Sequence, residues 1–231
     1  MGKNYVVIND ISSRNFPSLL IEELPAMQLP ERKVEVIDVD GRNGSLTITD
    51  ECYNNTQKIM TCKLRGNENV DEISSWLYNC EKVTFSNRPD RYYKAMLKSQ
   101  VDFERSLANN RSFSVTFDCQ PFGYLIDNST ITISKNNSSF QGKGTYFSEP
   151  IIKVYGSGTI NVLINSTQIT LKDVDGYITV NCEKKRTHKD LNILNNKKVG
   201  DFPTLSHQRN TISWTGSVTK IEITPNWRYL I

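Results

Sequence analysis

Along most of the chain apolar and polar residues alternate one for one, the period of a half-buried β-strand. Ile212 and Trp214 alternate with Thr211, Ser213 and Thr215, and Ile221 and Ile223 with Lys220, Glu222 and Thr224. The same pattern predicts strands over 34–39, 46–48, 60–64, 83–85, 92–97 and 113–119, and one around Phe103. Beyond residue 126 it predicts strands over 131–133, 151–154, 159–164, 168–171, 177–182, 211–214 and 218–223, with Gly, Asp and Asn between them. Asp40-Gly41 and Asn43-Gly44 supply hairpin turn chemistry after the first strand, and Asn87-Arg88-Pro89-Asp90 marks a further turn. The period changes once. Between Gly66 and Cys80, the residues Ile73, Trp76, Leu77 and Cys80 recur at helical spacing, which predicts one helix with an apolar stripe and with Asn67 or Asn69 as its cap.

Proline and glycine set the larger divisions. Pro17, Pro25 and Pro30 punctuate the segment before residue 34, where a strand interior could not hold them, so an irregular arm is expected there. Its Phe16, Leu19, Leu20, Leu24 and Leu29 would then lack regular structure to cover them. Pro121 and Gly123 interrupt the alternation, and the polar run Ser134-Lys135-Asn136-Asn137-Ser138-Ser139 follows a short strand. The expected division is therefore an α+β domain over 1–126 and a β-sandwich over 127–231. A chain of 231 residues allows either one large β domain or two smaller ones, and 37% hydrophobic residues with 10% aromatics suffice for packed cores.

Charge and cysteine usage exclude several classes. A net charge of +3, with bases scattered among nearly as many acids, gives no concentrated face for nucleic acid. The densest basic run, Lys184-Lys185-Arg186 with His188 and Lys189, is expected to be a solvated loop. Five cysteines, at 52, 62, 80, 119 and 182, are odd in number and widely spaced, unlike a zinc knuckle or a disulfide framework. Cys62, Cys119 and Cys182 fall on the apolar phase of their strands and are expected to be buried thiols. No signal peptide opens the sequence and no run approaches the roughly 20 apolar residues that span a bilayer, so synthesis in a cytoplasm is expected.

Candidate chemistry is sparse. Asp38-Val39-Asp40-Gly41 and Asp173-Val174-Asp175-Gly176 place two carboxylates before a glycine, but neither has the glycine and Glu spacing of a calcium loop, and Asp-Gly hairpin turns explain both. The only histidines, His188 and His207, lie in polar segments and form no helical pair. Glu22, Glu23, Asp71, Glu72, Asp102 and Glu104 cannot be paired across a cleft by sequence. Gly142-Lys143-Gly144 lacks the following helix of a phosphate loop. No catalytic, cofactor-binding or metal-binding residue is therefore assigned. Trp214 is expected in a core, and Trp227-Arg228-Tyr229-Leu230-Ile231 as an apolar end docked on the first domain or on a neighbouring subunit.

Five segments carry a resemblance. They are Val115-Thr116-Phe117-Asp118-Cys119-Gln120-Pro121-Phe122-Gly123-Tyr124; then Gly144-Thr145 leading to Ser148-Glu149-Pro150-Ile151-Ile152-Lys153-Val154-Tyr155-Gly156-Ser157-Gly158; then Gly200-Asp201-Phe202-Pro203-Thr204-Leu205; then Asn210-Thr211-Ile212-Ser213-Trp214-Thr215-Gly216; and last Ile221-Glu222-Ile223-Thr224-Pro225-Asn226-Trp227-Arg228. Together and in this order the chain resembles the distal tail proteins of long-tailed bacteriophages. It departs from them at His207-Gln208-Arg209, where members often have a Pro-Gly turn. The resemblance implies an N-terminal ring-forming domain and a galectin-like, jelly-roll-like β-sandwich. It also implies a structural virion protein, made in the host bacterial cytoplasm, that forms a homohexameric ring at the tail tip and leaves a channel for DNA. The implied partners are the tail tube, the tail-tip or baseplate proteins, and the tape-measure or receptor-binding protein; no cofactor, membrane or specific nucleic acid is implied. A soluble carbohydrate-binding module recognising a cell-wall glycan is the alternative class, and a glycoside hydrolase a third.

Overall fold

In the computed structural model, which describes residues 4–66, 70–101, 104–107 and 110–230, the alternating segments become strands of three sheets. Asn67, Asn69, Asp102, Phe103 and Ile231 lie outside the described residues, as does the side chain of Glu104. Two units separate by their contacts, the first running to Gly123 and the second covering Tyr124–Tyr229.

The strands of the first unit are β1 (Val6–Ile8), β2 (Ile11–Ser12), β3 (Leu19–Glu23), β4 (Arg32–Ile37), β5 (Leu46–Tyr53), β6 (Thr56–Arg65), β7 (Lys82–Phe85), β8 (Arg91–Leu97), β9 (Glu104–Leu107) and β10 (Asn110–Leu125), with helix α1 (Val70–Tyr78) between β6 and β7. The main sheet has the order β2-β1-β7-β8-β10-β6-β3, and β9 also pairs with β10. Its inner face places Val6, Ile8, Met60, Cys62, Leu64, Val83, Phe85, Val115 and Phe117 in one core, closed by Ile73, Trp76 and Leu77 of α1. The helical stripe is thus where its spacing puts it, while Cys80 lies just past the helix and is buried there. Trp76 keeps its indole N–H satisfied by donating to the Ile11 carbonyl at 3.2 Å. Asp71 and Glu72 occupy the first turn, where the helix dipole favours negative charge.

Two expectations for this unit are corrected. The segment before residue 34 is no irregular arm: Leu19 and Ile21 are buried, paired with Leu64 and Cys62 of β6, and Phe16 packs on Trp76 with ring centroids 5.1 Å apart. The prolines flank β3 and none lies inside it, so no ladder bond is lost. The irregular part is confined to residues 24–31, between β3 and β4, where Met27 and Leu29 are exposed, as is Ile11 of β2. Likewise β10 continues through Pro121 and Gly123, past the Cys119–Thr56 pair at which its ladder with β6 ends.

The second unit holds β11 (Ile131–Ile133), β12 (Ser138–Gln141), β13 (Ile151–Ile164), β14 (Thr167–Asn181), β15 (Arg186–Lys189), β16 (Asn192–Ile193), β17 (Lys198–Val199), β18 (Arg209–Thr224) and β19 (Arg228–Tyr229). Each of β13, β14 and β18 was expected as two strands and is one long strand. Their registers sort the halves into two layers. The first half of β13 pairs with the second halves of β14 and β18, flanked by β15 and β11; the other halves pair among themselves, flanked by β17 and β12. Bulges at the change of layer shift the register between Gly158 and Ile160 and between Ser157 and Asn161, which bends a strand without ending it. Gly216 sits at that bend with φ +99°, and a Cβ there would stand 2.5 Å from the Thr159 carbonyl oxygen. The alternating apolar residues of both layers, Ile152, Val154, Ile160, Val162, Ile169, Val180, Ile212, Trp214, Ile221 and Ile223 among them, fill one core. An α+β unit followed by a β-sandwich is the fold class the pattern predicts.

Asp38-Val39-Asp40-Gly41 does lead into the hairpin turn after β4, with Gly41 at φ +79°. Asp173-Val174-Asp175-Gly176, by contrast, forms no hairpin turn: it lies inside β14, with Asp173 at φ +49° and Gly176 at +75° in the bulged stretch. The basic run is also not one loop, since Arg186 to Lys189 form β15. The turn before β18 holds without Pro-Gly because Asn210 ties it: its Nδ2 donates to the carbonyls of Ser206 at 2.9 Å and Gln208 at 3.3 Å, and its Oδ1 accepts from the Ser206 N–H at 2.7 Å.

Candidate assembly surfaces

Several of the described residues that could have carried catalysis have structural partners. Glu22 lies 3.6 Å from Lys63, and Glu23 accepts from the Thr61 hydroxyl at 3.4 Å. His188 Nδ1 is 3.0 Å from the Asp190 carbonyl oxygen, at the β15 turn. Among the described residues no three His, Cys, Asp or Glu side chains converge as a metal site. Gly142 has a packing explanation: a Cβ there would stand 2.1 Å from the Ser206 carbonyl oxygen. Within the basic run, Lys185 pairs with Glu149 at 2.9 Å and Lys189 lies 3.5 Å from Asp175.

Cys62, Cys80, Cys119 and Cys182 are buried and unpaired, and burial pushes each thiol up to about 12. The thiolate is the reactive form, so these four are packing residues. Cys52, on β5, is exposed. Trp214 is buried as expected, but Trp227 corrects its expectation: it is 3% exposed within the second unit's own core, and its carbonyl accepts from the Leu125 N–H at 3.0 Å. Neither indole is open for stacking on a sugar.

What stands out is the β4–β5 hairpin. It forms a sheet of two strands, hydrogen-bonded to no other strand among the described residues. Directly opposed residues share a face, and the pairs Val34–Thr49 and Val36–Thr47 make one face while Glu35–Ile48 and Ile37–Leu46 make the other. Val34, Val36, Ile37, Leu46 and Ile48 are all exposed, as is Val39 at the turn. Both faces therefore present branched apolar side chains to solvent. At its root Tyr53 meets Phe122 edge to face, with centroids 5.8 Å apart, and the Asn54 N–H donates to the Glu31 carbonyl at 2.8 Å. Alternation revealed the two strands but not their isolation. The signal was the adjacent pair Val36-Ile37, which puts apolar groups on both sides of one strand.

No family model matches this chain, and no curated protein does. A solved structure does: the Dit protein (gp 19.1) of phage SPP1, described as a paradigm of the hub adsorption apparatus in phages infecting Gram-positive bacteria. The TM-score is 0.71 at 15% identity, over 95% of this chain and 98% of that one. At this identity the likeness establishes a shared fold across both units.

Proposed function

We propose that the chain is a structural protein of a phage tail, forming a hexameric ring at the distal end through the β4–β5 hairpin, which reaches a neighbouring copy. The hairpin carries this reading. A lone two-stranded ribbon is marginal in water, and its unpaired edges and two apolar faces invite association. A contact between the hairpin and a different patch on the next copy is heterologous, and repeated by rotation it closes a ring. The fold shared with the SPP1 hub protein supports the same reading. In this role the first unit forms the ring, the second faces tail-tip, tail-associated or receptor-binding proteins, and the tail tube docks on the opposite side, with a central channel that passes DNA without binding it specifically. Synthesis takes place in the host cytoplasm and the finished protein resides in the virion.

Negative-stain imaging and native mass spectrometry of the full chain, alone and with tail tube protein, test the proposal. Six-fold rings are expected, and they should be lost in a Val36→Glu, Ile48→Lys variant that keeps its circular dichroism spectrum. Monomers under both conditions, or rings that persist in the variant, would overturn it.

A further inference from the structure

The second unit carries a recess that ring assembly leaves without a role. It encloses about 210 Å³ beside the bulge of β14. There the β13 ladder steps from the Gly158–Val174 pair to Ile160–Leu171, setting Lys172 and Asp173 of β14 against Thr159 alone. Bulges of this kind re-aim the side chains around them. Val174, Ile178 and Leu194 supply the covered, apolar part of the lining, and Asp173, Asp175, Tyr177, Lys189, Asn192 and Lys197 the more open polar part.

The polar groups balance. Lys189 Nζ donates to the Asp175 carbonyl at 2.5 Å and lies 3.5 Å from its carboxylate, while Lys197 Nζ donates to the Asp173 carbonyl at 3.1 Å. Two acids and two bases leave no net field to select an ion. Next to the recess the rings of Tyr177 and Tyr155 lie side by side on neighbouring strands, with centroids 5.9 Å apart. Their hydroxyls are engaged, Tyr155 donating to Glu222 at 2.9 Å and Tyr177 to Asp190, so what they offer a ligand is ring surface. Lys153 Nζ lies 4.1 Å and Lys189 Nζ 5.4 Å from the Tyr177 ring centre, and Lys220 Nζ 4.5 Å and Lys153 Nζ 5.0 Å from that of Tyr155, so a ligand reaches these rings by displacing flexible lysine side chains.

We propose that this recess and the paired tyrosines bind a neutral saccharide. A pyranose has an apolar C–H face and a rim of hydroxyls that both donate and accept. An aromatic ring beside a carboxylate, an ammonium and an amide matches both parts. The recess is smaller than the roughly 300–1,000 Å³ of drug-sized sites, so it takes one ring, on Tyr177, with Asp175, Lys189 and Asn192 meeting the hydroxyls. Lys153 swings aside to free the Tyr177 ring, and a second sugar ring rests on Tyr155 after Lys220 does the same. The proposal does not rest on the ring reading.

Saturation-transfer NMR and titration of the full-length chain with glucose, galactose, N-acetylglucosamine and their β-linked disaccharides test it, with inorganic phosphate as the anion control. Binding of at least one monosaccharide is expected at millimolar concentration, about fivefold tighter for its disaccharide, and about tenfold weaker in Tyr177→Ala. Asn192→Ala, on the exposed two-residue strand β16, keeps the fold and should weaken binding about threefold. No binding up to about 100 mM, a preference for phosphate, or equal binding in both variants would overturn the proposal. Light scattering on the same samples follows oligomerisation separately, so loss of sugar binding is distinguishable from failure to assemble.

Discussion

At the scale of single residues, Lys58 is the one that breaks the pattern around it. It occupies the inward phase of β6, in line with Met60, Cys62 and Leu64, and is only 6% exposed. Its Nζ lies 4.4 Å from the centre of the Tyr93 ring, and no carboxylate pairs with it among the described residues. Desolvation lowers its pKa from 10.5, so the charged form is less stable in the folded protein than in the unfolded chain. The unfolded state binds more protons between the lowered value and 10.5, and stability from this group rises with pH across that window. Below it the cost is constant. Lys58→Met should therefore stabilise the protein at neutral pH, by about 1 kcal/mol and ~2–4 °C in Tm after loss of the contact with Tyr93. Calorimetry checks this, and an unchanged or lower Tm would show that the ring compensates the burial. The cysteines give a second residue-scale prediction. With four thiols buried and pushed up to about 12, a thiol reagent at pH 8 should label Cys52 alone in the native chain, and all five only after denaturation. More than one fast-reacting thiol per chain would contradict the packing of the cores.

At the scale of elements, local periodicity found most of the pieces and misjudged how they join. The α1 stripe was legible because Ile73, Trp76 and Leu77 meet one core, and the β7–β8 turn because its proline and polar residues allow little else. Strand ends were not legible, because glycine and proline have two meanings. Gly158, Gly176 and Gly216 mark bends within long strands, where a bulge keeps the ladder on both sides, yet in sequence they look like turns between short ones. Pro17, Pro25 and Pro30 look like an irregular segment but border a strand. The hairpin shows the deeper limit. Alternation tells which residues share a face, and whether anything covers that face depends on contacts distant in sequence. Gly216→Ala probes the bend directly: a positive φ and a Cβ clash with backbone together should cost on the order of 2–3 kcal/mol. A denaturant titration measures this, and a loss under about 0.5 kcal/mol would mean that the bend can relax.

At the scale of the whole molecule, charge and cysteine usage argue against nucleic-acid, metal and disulfide classes, while the exposed hairpin and the recess beside β14 required three dimensions. The position of the division between units has a physical consequence. Tyr124 is 6% exposed, its phenol is pushed up to about 12 chiefly by burial, and the charges that act on it, Glu183, Arg228 and Glu149, all belong to the second unit. Leu125 packs against the second core and donates its N–H to the Trp227 carbonyl. A fragment that begins at residue 127 loses both side chains and uncovers Trp227, whereas one that begins at residue 124 keeps them. Removing a large buried aromatic typically costs ~3–5 kcal/mol, a substantial part of the roughly 5–15 kcal/mol that holds a domain folded. The 124–231 fragment should therefore unfold cooperatively as a monomer, and the 127–231 fragment should melt well below it or fail to fold. Circular dichroism melts of the two fragments decide the matter. Equal melting temperatures would mean that Tyr124 and Leu125 serve the first unit rather than the sandwich, and that the first unit extends past Gly123.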